Sequence, residues 1–443
     1  VRQTDAMAAE SSMLAKCTAE FLGTFLLIFT VGCNVLGKSA PWTGVSIASV
    51  LMVSIYGLGG ISGANFNPAV STALGISKIL GGPGLDLQTV CLYAAVQLSA
   101  GVAAAIGYSM LFKDSFALAP SRGYNLLEAG LCELFYTFML CFVVLNVAVA
   151  KKVEGNQYYG LAIGFVIIAG AYGAGAVSGG CFNPAVAFGI DVAGPGFGLS
   201  LPYICFELAG AALAAVLFSV VRPEDFGGAK LNRAALVSEF LGTFMLVLTV
   251  GLNELGNSQA GAFSIAASLM CMIYALGDVS GAHFNPAVTL AVMVADGIAP
   301  AKAVSYMAMQ VLGGMFAAFA YSFIHHGHSF ALGPKAGFDM GQVAIAEFIF
   351  TFVLCFVVLS VAVSKTTKSS QMFGLAIGSC VTVGGCAIGG ISGGSLNPAV
   401  SFGIATVGGS FANAVTYSAV ELAAGGAAAL VFKITHAVDN ADE

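Results

Sequence analysis

Four copies of Asn-Pro-Ala-Val stand in this chain, starting at Asn67, Asn183, Asn285 and Asn397. Asparagine is a favoured helix N-cap and proline fits the first helical position. Asn67-Pro68-Ala69, Asn183-Pro184-Ala185, Asn285-Pro286-Ala287 and Asn397-Pro398-Ala399 therefore each predict a helix start. The apolar stretch after each, such as 69–74, is too short to cross a membrane. Irregular backbone before a half-helix at membrane depth survives only when buried in protein or lining a cavity. The loops Gly63-Ala64-Asn65, Gly179-Gly180-Cys181, Gly281-Ala282-His283 and Gly393-Gly394-Ser395 would turn carbonyls toward such a cavity. Two half-helices meeting N-terminus to N-terminus would bring two positive dipole ends together, and each Asn amide would offer N–H donors to the lumen. This chemistry is hydrogen bonding to small polar molecules. No catalytic constellation, nucleotide site or cofactor site accompanies it, so the chain is not expected to be an enzyme.

A second motif shares the period. Glu20-Phe21-Leu22-Gly23-Thr24-Phe25 recurs as Glu239-Phe240-Leu241-Gly242-Thr243-Phe244, with weaker copies beginning at Glu133 and Glu347. From each Glu to its Asn the spacing is 47, 50, 46 and 50 residues. The Asn positions shift by 218 and 214 residues from first half to second half. The chain is thus a tandem duplication, and each half is itself a repeat of two quarters, each with three spans and a loop after the second. An odd number of spans inverts successive quarters in the membrane, which places functional elements near the midplane.

The elements that must carry these motifs are apolar helices. The chain has 443 residues, 58% hydrophobic, and only 9% are charged, against roughly 25% in an ordinary soluble domain. Between Lys368 and Glu421 no residue is charged. A soluble or disordered chain is excluded, and long unbroken apolar runs exclude an outer-membrane barrel. Twelve spans at about 20 residues each fit the length. They are expected near 17–34, 44–60, 88–111, 126–149, 158–177 and 200–221, then 235–253, 261–277, 301–324, 342–363, 372–391 and 410–432. The units are expected at 1–222 and 234–443, joined by a charged linker, 223–233. With the N-terminus inside, twelve of the 16 Lys and Arg residues fall on inside segments, which predicts both termini on the cytoplasmic-equivalent side. Val1 in place of Met implies a removed presequence or an incomplete N-terminus, and residues 1–15 are too polar for a signal peptide. No basic cluster suggests nucleic acid. The 11 cysteines form no CxxC pair, so neither a disulfide framework nor a zinc site is expected.

With four such motifs in an SG-x-x-[FL]-NPAV setting, the chain resembles two members of the major intrinsic protein (aquaporin) family fused head to tail, over about residues 17–433. The resemblance implies an all-α membrane fold: two six-helix units, 12 transmembrane helices plus four re-entrant half-helices. It implies a passive channel for water and small neutral solutes, with one pore per unit. Asn67 with Asn183 would form one pore centre, and Asn285 with Asn397 the other. Glu20, Glu133, Glu239 and Glu347 would hold the pore loops through backbone N–H groups, a role favoured over proton relay. The family's selectivity filter maps onto Ile47, Ala171, Gly180 and Val186 in the first half. In the second half it maps onto Ile265, Gly385, Gly394 and Val400. Most members carry Arg where Val186 and Val400 stand; some plant tonoplast intrinsic proteins also have Val there. Without that charge the constriction is apolar, so ammonia, hydrogen peroxide, urea or glycerol become plausible solutes beside water. The family's acidic glycerol-facilitator position is occupied by Ala187 and Ser401. Only Arg122, on an outside loop, has any prospect of reaching a filter.

The halves differ at several points. His283 stands where the first half has Asn65, either as a pH-sensitive pore residue or as a hydrogen-bonded loop residue, the reading we favour. Asp278 is expected to add negative charge at an inner mouth. His325, His326 and His328 read as a solvated loop rather than a metal site. Glu207 and Glu421, with Gln97 and Gln310 at inverted positions, read as polar packing between helices. Cys181 borders a pore loop. Family members usually form tetramers, so a tandem chain would form a homodimer with four pores. The rival reading is a structural subunit of a larger membrane complex whose pores are narrow or closed.

Overall fold

The computed structural model describes residues 11–195, 198–229 and 232–440. Those residues fold into helices, with no strand among them. The first half comprises α1 (Met13–Leu36), α2 (Thr43–Ser62), α3 (Pro68–Ile79), α4 (Leu87–Phe112), α5 (Leu126–Val144), α6 (Tyr159–Ser178), α7 (Pro184–Ala193) and α8 (Ser200–Val221). The second repeats this order as α9 (Asn232–Leu255), α10 (Gly261–Ser280), α11 (Pro286–Val294), α12 (Pro300–Ile324), α13 (Met340–Val358), α14 (Phe373–Ile388), α15 (Pro398–Gly408) and α16 (Phe411–Thr435). Eleven of these helices, counting the turns that extend α5 and α13, are long and apolar enough to cross a membrane. The twelfth expected span, α14, has 16 residues because it unwinds at Gly389 into the turn before its Asn-Pro-Ala loop. α5 and α13 each run into a five-residue π-helical turn, Leu145–Val149 and Leu359–Val363.

The four half-helices are α3, α7, α11 and α15. Each packs against long helices of the opposite quarter: α7 on α4, α3 on α8, α15 on α12 and α11 on α16. Glycine permits the closest of these approaches. A Cβ at Gly101 would lie 2.5 Å from the Ala185 carbonyl oxygen, and one at Gly314 would lie 2.4 Å from that of Ala399.

The halves pack side by side through α5 and α6 of the first against α9, α10 and α12 of the second. Polar bonds cross this interface at every depth. Tyr136 Oη donates to Thr249 Oγ1 at 3.0 Å and Ser264 Oγ to the Ala169 carbonyl at 2.9 Å. At one end Arg222, buried to 1% exposure, places two guanidinium nitrogens 2.8 and 2.6 Å from the Asp278 carboxylate. The same side chain donates to Asn146 Oδ1 and the Ala275 carbonyl, and Lys152 Nζ donates to the Asp278 carbonyl at 2.8 Å. Asp278 is therefore a bridge between the halves, its charge met by Arg222, and not a free charge at an inner mouth. At the other end Tyr124 Oη lies 2.9 Å from His325 Nδ1, and His326 Nδ1 lies 3.0 Å from Glu128 Oε1. This corrects the expectation of a solvated loop at His325, which is buried against the first half; His326 and His328 remain exposed, His326 beside Glu128. The described residues contain no group of three or more His, Cys, Asp or Glu side chains able to hold a metal.

Candidate pores

Each Asn of the repeated motif caps its half-helix through its own side chain. Asn67 Oδ1 accepts from Ala69 N at 2.8 Å, and Asn183, Asn285 and Asn397 make the same bond at 2.9, 2.8 and 2.9 Å. Pro68, Pro184, Pro286 and Pro398 hold the first helical position. The amide ends then cross to the facing loop. Asn67 Nδ2 donates to the Phe182 carbonyl at 2.8 Å, and Asn183 Nδ2 to that of Phe66 at 3.0 Å. Asn285 Nδ2 donates to Leu396 O at 2.8 Å, and Asn397 Nδ2 to Phe284 O at 2.9 Å. The inverted quarters thus face each other through two reciprocal bonds in each half. Each amide uses one hydrogen this way and keeps one for the adjoining cavity.

The residues before these caps are strained. Phe66, Phe182, Phe284 and Leu396 sit at φ of 51°, 53°, 50° and 54°, in the left-handed region that side chains other than glycine avoid. Such conformations cost about 1–3 kcal/mol each and persist only when the surroundings over-determine them. Buried carboxylates do so here. Glu20 Oε1 accepts from Ser62 Oγ at 2.6 Å and Asn65 N at 3.0 Å, while Oε2 accepts from Phe66 N and Gln97 Nε2, both at 2.8 Å. Glu239 repeats this pattern with Ser280, His283, Phe284 and Gln310. Glu133 accepts from Cys181 N and Phe182 N, and Glu347 from Ser395 N and Leu396 N. All four carboxylates are fully buried and absent from the cavity walls.

Glu207 and Glu421 do more than pack helices together. Glu207 Oε1 accepts from Asn183 N at 2.9 Å and Glu421 Oε1 from Asn397 N at 3.0 Å, so they anchor the caps directly. Gln97 and Gln310 bridge Glu20 and Glu239 to the half-helix residues Ser71 and Thr289. Sequence reasoning missed a further set, the buried hydroxyls of Tyr93, Tyr203, Tyr306 and Tyr417. They donate to the carbonyls of Ser62, Ser178, Ser280 and Ser392 at 2.9, 2.9, 2.8 and 2.6 Å. Each stands four residues before Gln97, Glu207, Gln310 or Glu421, on the same helix face. That Tyr-x-x-x-[Gln/Glu] spacing was a legible signal.

Two cavities pass these centres. The first, about 780 Å³, runs from Ala40 and Pro41 at one face, past Asn67 and Asn183, to Lys151–Gln157 at the other. Ile47, Ala171, Gly180 and Val186 all line it, as do Asn65 and Cys181. The second, about 390 Å³, is lined by Ile265, Gly385, Gly394 and Val400 together with Asn285, Asn397 and His283. His283 Nδ1 lies 3.1 Å from Thr289 Oγ1, just as Asn65 Nδ2 donates to Ser71 Oγ at 3.0 Å. Arg122 is exposed in a turn and belongs to neither wall.

The model of the major intrinsic protein family matches the chain twice, over residues 7–218 and 228–432. Aquaporin NIP1-1 of Oryza sativa subsp. japonica is 34% identical over 209 residues, which cover 45% of this chain and 73% of that protein. A probable TIP-type aquaporin of Medicago truncatula is 32% identical over 216 residues, covering 45% of this chain and 85% of that protein. Among solved structures, the aquaglyceroporin from Plasmodium falciparum matches 46% of this chain and 94% of its own, with 21% identity and a TM-score of 0.40. Each relative corresponds to about one half of the chain. Two family matches end to end, on a multi-pass helical scaffold with four capped half-helices, make this chain a tandem member of the major intrinsic protein family.

Proposed function

We propose that the chain is a passive channel for water and small neutral solutes, with one pore in each half, and not an enzyme. The observation that carries this reading is the pair of cavities, each walled by two half-helix N-termini and by the Asn amides that cap them. In this reading Asn67, Asn183, Asn285 and Asn397 donate to the passing solute, and the converging positive dipole ends repel cations and protons. Ile47, Ala171, Gly180 and Val186 form the first filter, and Ile265, Gly385, Gly394 and Val400 the second. Neither filter carries a charge or a side-chain donor, so the barrier to urea, glycerol, ammonia or hydrogen peroxide is low and selectivity against them weak.

The chain works as a homodimer with four pores. Comparison of its own halves supports this. Of the most apolar stretch of α9, 72% is buried, against 44% for the equivalent α1; for α10 and α2 the shares are 72% and 28%. The covered faces are those the other half packs on. The bare faces of α1 and α2 carry exposed Phe21, Leu22, Leu26 and Val53, and α13 carries exposed Ile345, Phe348 and Ile349. A second copy, turned by a twofold axis, would cover both sets with the contact already made once within the chain.

Purified protein in liposomes tests the channel. Light scattering follows shrinkage in sucrose and reswelling in urea and in glycerol, beside an Asn183→Asp/Asn397→Asp control. Fast water flux lost in the control is expected. Flux no faster than empty vesicles, with intact protein incorporated, refutes the reading and leaves a structural subunit. Sedimentation in detergent should give two chains per particle; one chain overturns the dimer.

A further inference from the structure

The pore centres and filters of the two halves are nearly the same, but the outer funnels above them are not. Val35 in the first cavity wall is matched by Glu254 in the second. Gln259 stands where the first wall has Ala40 and Pro41, and Cys181 beside the filter is matched by Ser395. Lys335 adds a further charge to the second wall, its Nζ 3.8 Å from Glu254 Oε1. At these three places the first funnel is apolar and the second can hydrogen-bond; the first wall's own hydroxyls are Thr43 and Tyr172, and that of Tyr172 is given to the Pro41 carbonyl. The equivalence is structural. Asn34, just before Val35, and Asn253, just before Glu254, each donate to the carbonyl four residues earlier and to a serine on the next helix.

We propose that the two pores divide the solutes between them, a reading that rests on the channel function above. The first favours neutral solutes that carry an alkyl group; the second favours water and solutes that hydrogen-bond over their whole surface. A solute must shed bulk water in the funnel before it meets the common filter. In the second funnel Glu254, Ser258, Gln259 and Lys335 replace the bonds it loses. In the first, the walls replace few bonds but take an alkyl group out of water. Each methylene so buried shifts partitioning about fourfold. Selection is thus made above the filter, at positions that a comparison of filter residues alone would not flag.

Each cavity holds one native thiol, Cys181 in the first and Cys386 in the second, so the pores can be blocked separately. A cationic, membrane-impermeant methanethiosulfonate is applied to liposomes carrying Cys386→Ala or Cys181→Ala protein, with the double variant as control for the remaining cysteines. Urea and N-methylurea, which differ by one methylene, are the probes. Blocking Cys181 should lower the N-methylurea-to-urea permeability ratio, blocking Cys386 should raise it, and the two treated ratios should differ at least fourfold. A second variant works without reagent: Glu254→Val/Gln259→Ala should raise the untreated ratio. Equal ratios after either block, or an unchanged ratio in the funnel variant, overturn the division of solutes while leaving the channel standing. Absence of any protein-dependent solute flux would instead strike the channel reading itself.

Discussion

Glu20 is the most direct test of how the pore loops are held. Its two oxygens accept four donors, two on each. In Glu20→Gln one oxygen becomes an NH2 group. The least costly orientation points it at Ser62 Oγ, which can turn and accept, so only the Asn65 N–H is orphaned. An orphaned buried donor costs about 1–3 kcal/mol. Glu20→Leu orphans the Asn65 and Phe66 N–H groups and the Gln97 amide together, about 3–9 kcal/mol on the same scale. That loss is set against a loop already strained at Phe66 by about 1–3 kcal/mol. Glu20→Gln should therefore keep most of its flux with a lowered melting temperature, whereas Glu20→Leu should lose the first pore. The second pore serves as the internal control. Stopped-flow water permeability per incorporated chain should fall only in part in Glu20→Leu and to the empty-vesicle level in Glu20→Leu/Glu239→Leu. Wild-type flux and melting in Glu20→Leu would refute the argument that the carboxylate holds the loop.

Three further outcomes are expected. Gly101→Ala should displace α7 and destabilise the first half by about 1–3 kcal/mol, since the new methyl meets a backbone carbonyl that cannot turn aside; thermal melting in detergent checks it. Arg222→Met should cost about 3 kcal/mol by stranding Asp278, and Arg222→Met/Asp278→Leu should recover part of that loss, as a double-mutant cycle of melting temperatures would show. Burial, with His326 and His328 nearby, pushes the His325 pKa down to about 4, so its imidazole is neutral in the folded clasp with Tyr124 and Glu128. Because the unfolded chain takes up that proton first, stability should fall as pH drops from about 6.5 toward 4. His325→Phe should flatten that part of the melting profile.

Much of the fold was legible because its signals are local or periodic. The length of each apolar run is set by bilayer thickness, and the observed helices lie close to the twelve expected spans. The half-helices were legible from Asn and Pro alone, because those residues do the capping themselves. The tandem and inverted symmetry followed from spacing. Glu20, Glu133, Glu239 and Glu347 were paired with the loops only through the family resemblance.

The partners of long-range polar groups could not be assigned this way. Glu207 and Glu421 looked like helix glue, since nothing local says that one carboxylate oxygen reaches a cap N–H 24 residues away. Asp278 looked like a free charge until Arg222, 56 residues distant, proved to be buried against it. His325 looked solvated because the Tyr124 that meets it belongs to the other half. Periodicity and capping are properties of a few neighbouring residues, so the amino-acid order alone determined the helices, their inversion and the four pore loops. Which buried charge finds which partner, and which residues wall each cavity, depend on how the helices pack within and between the halves, and only the tertiary structure decided them.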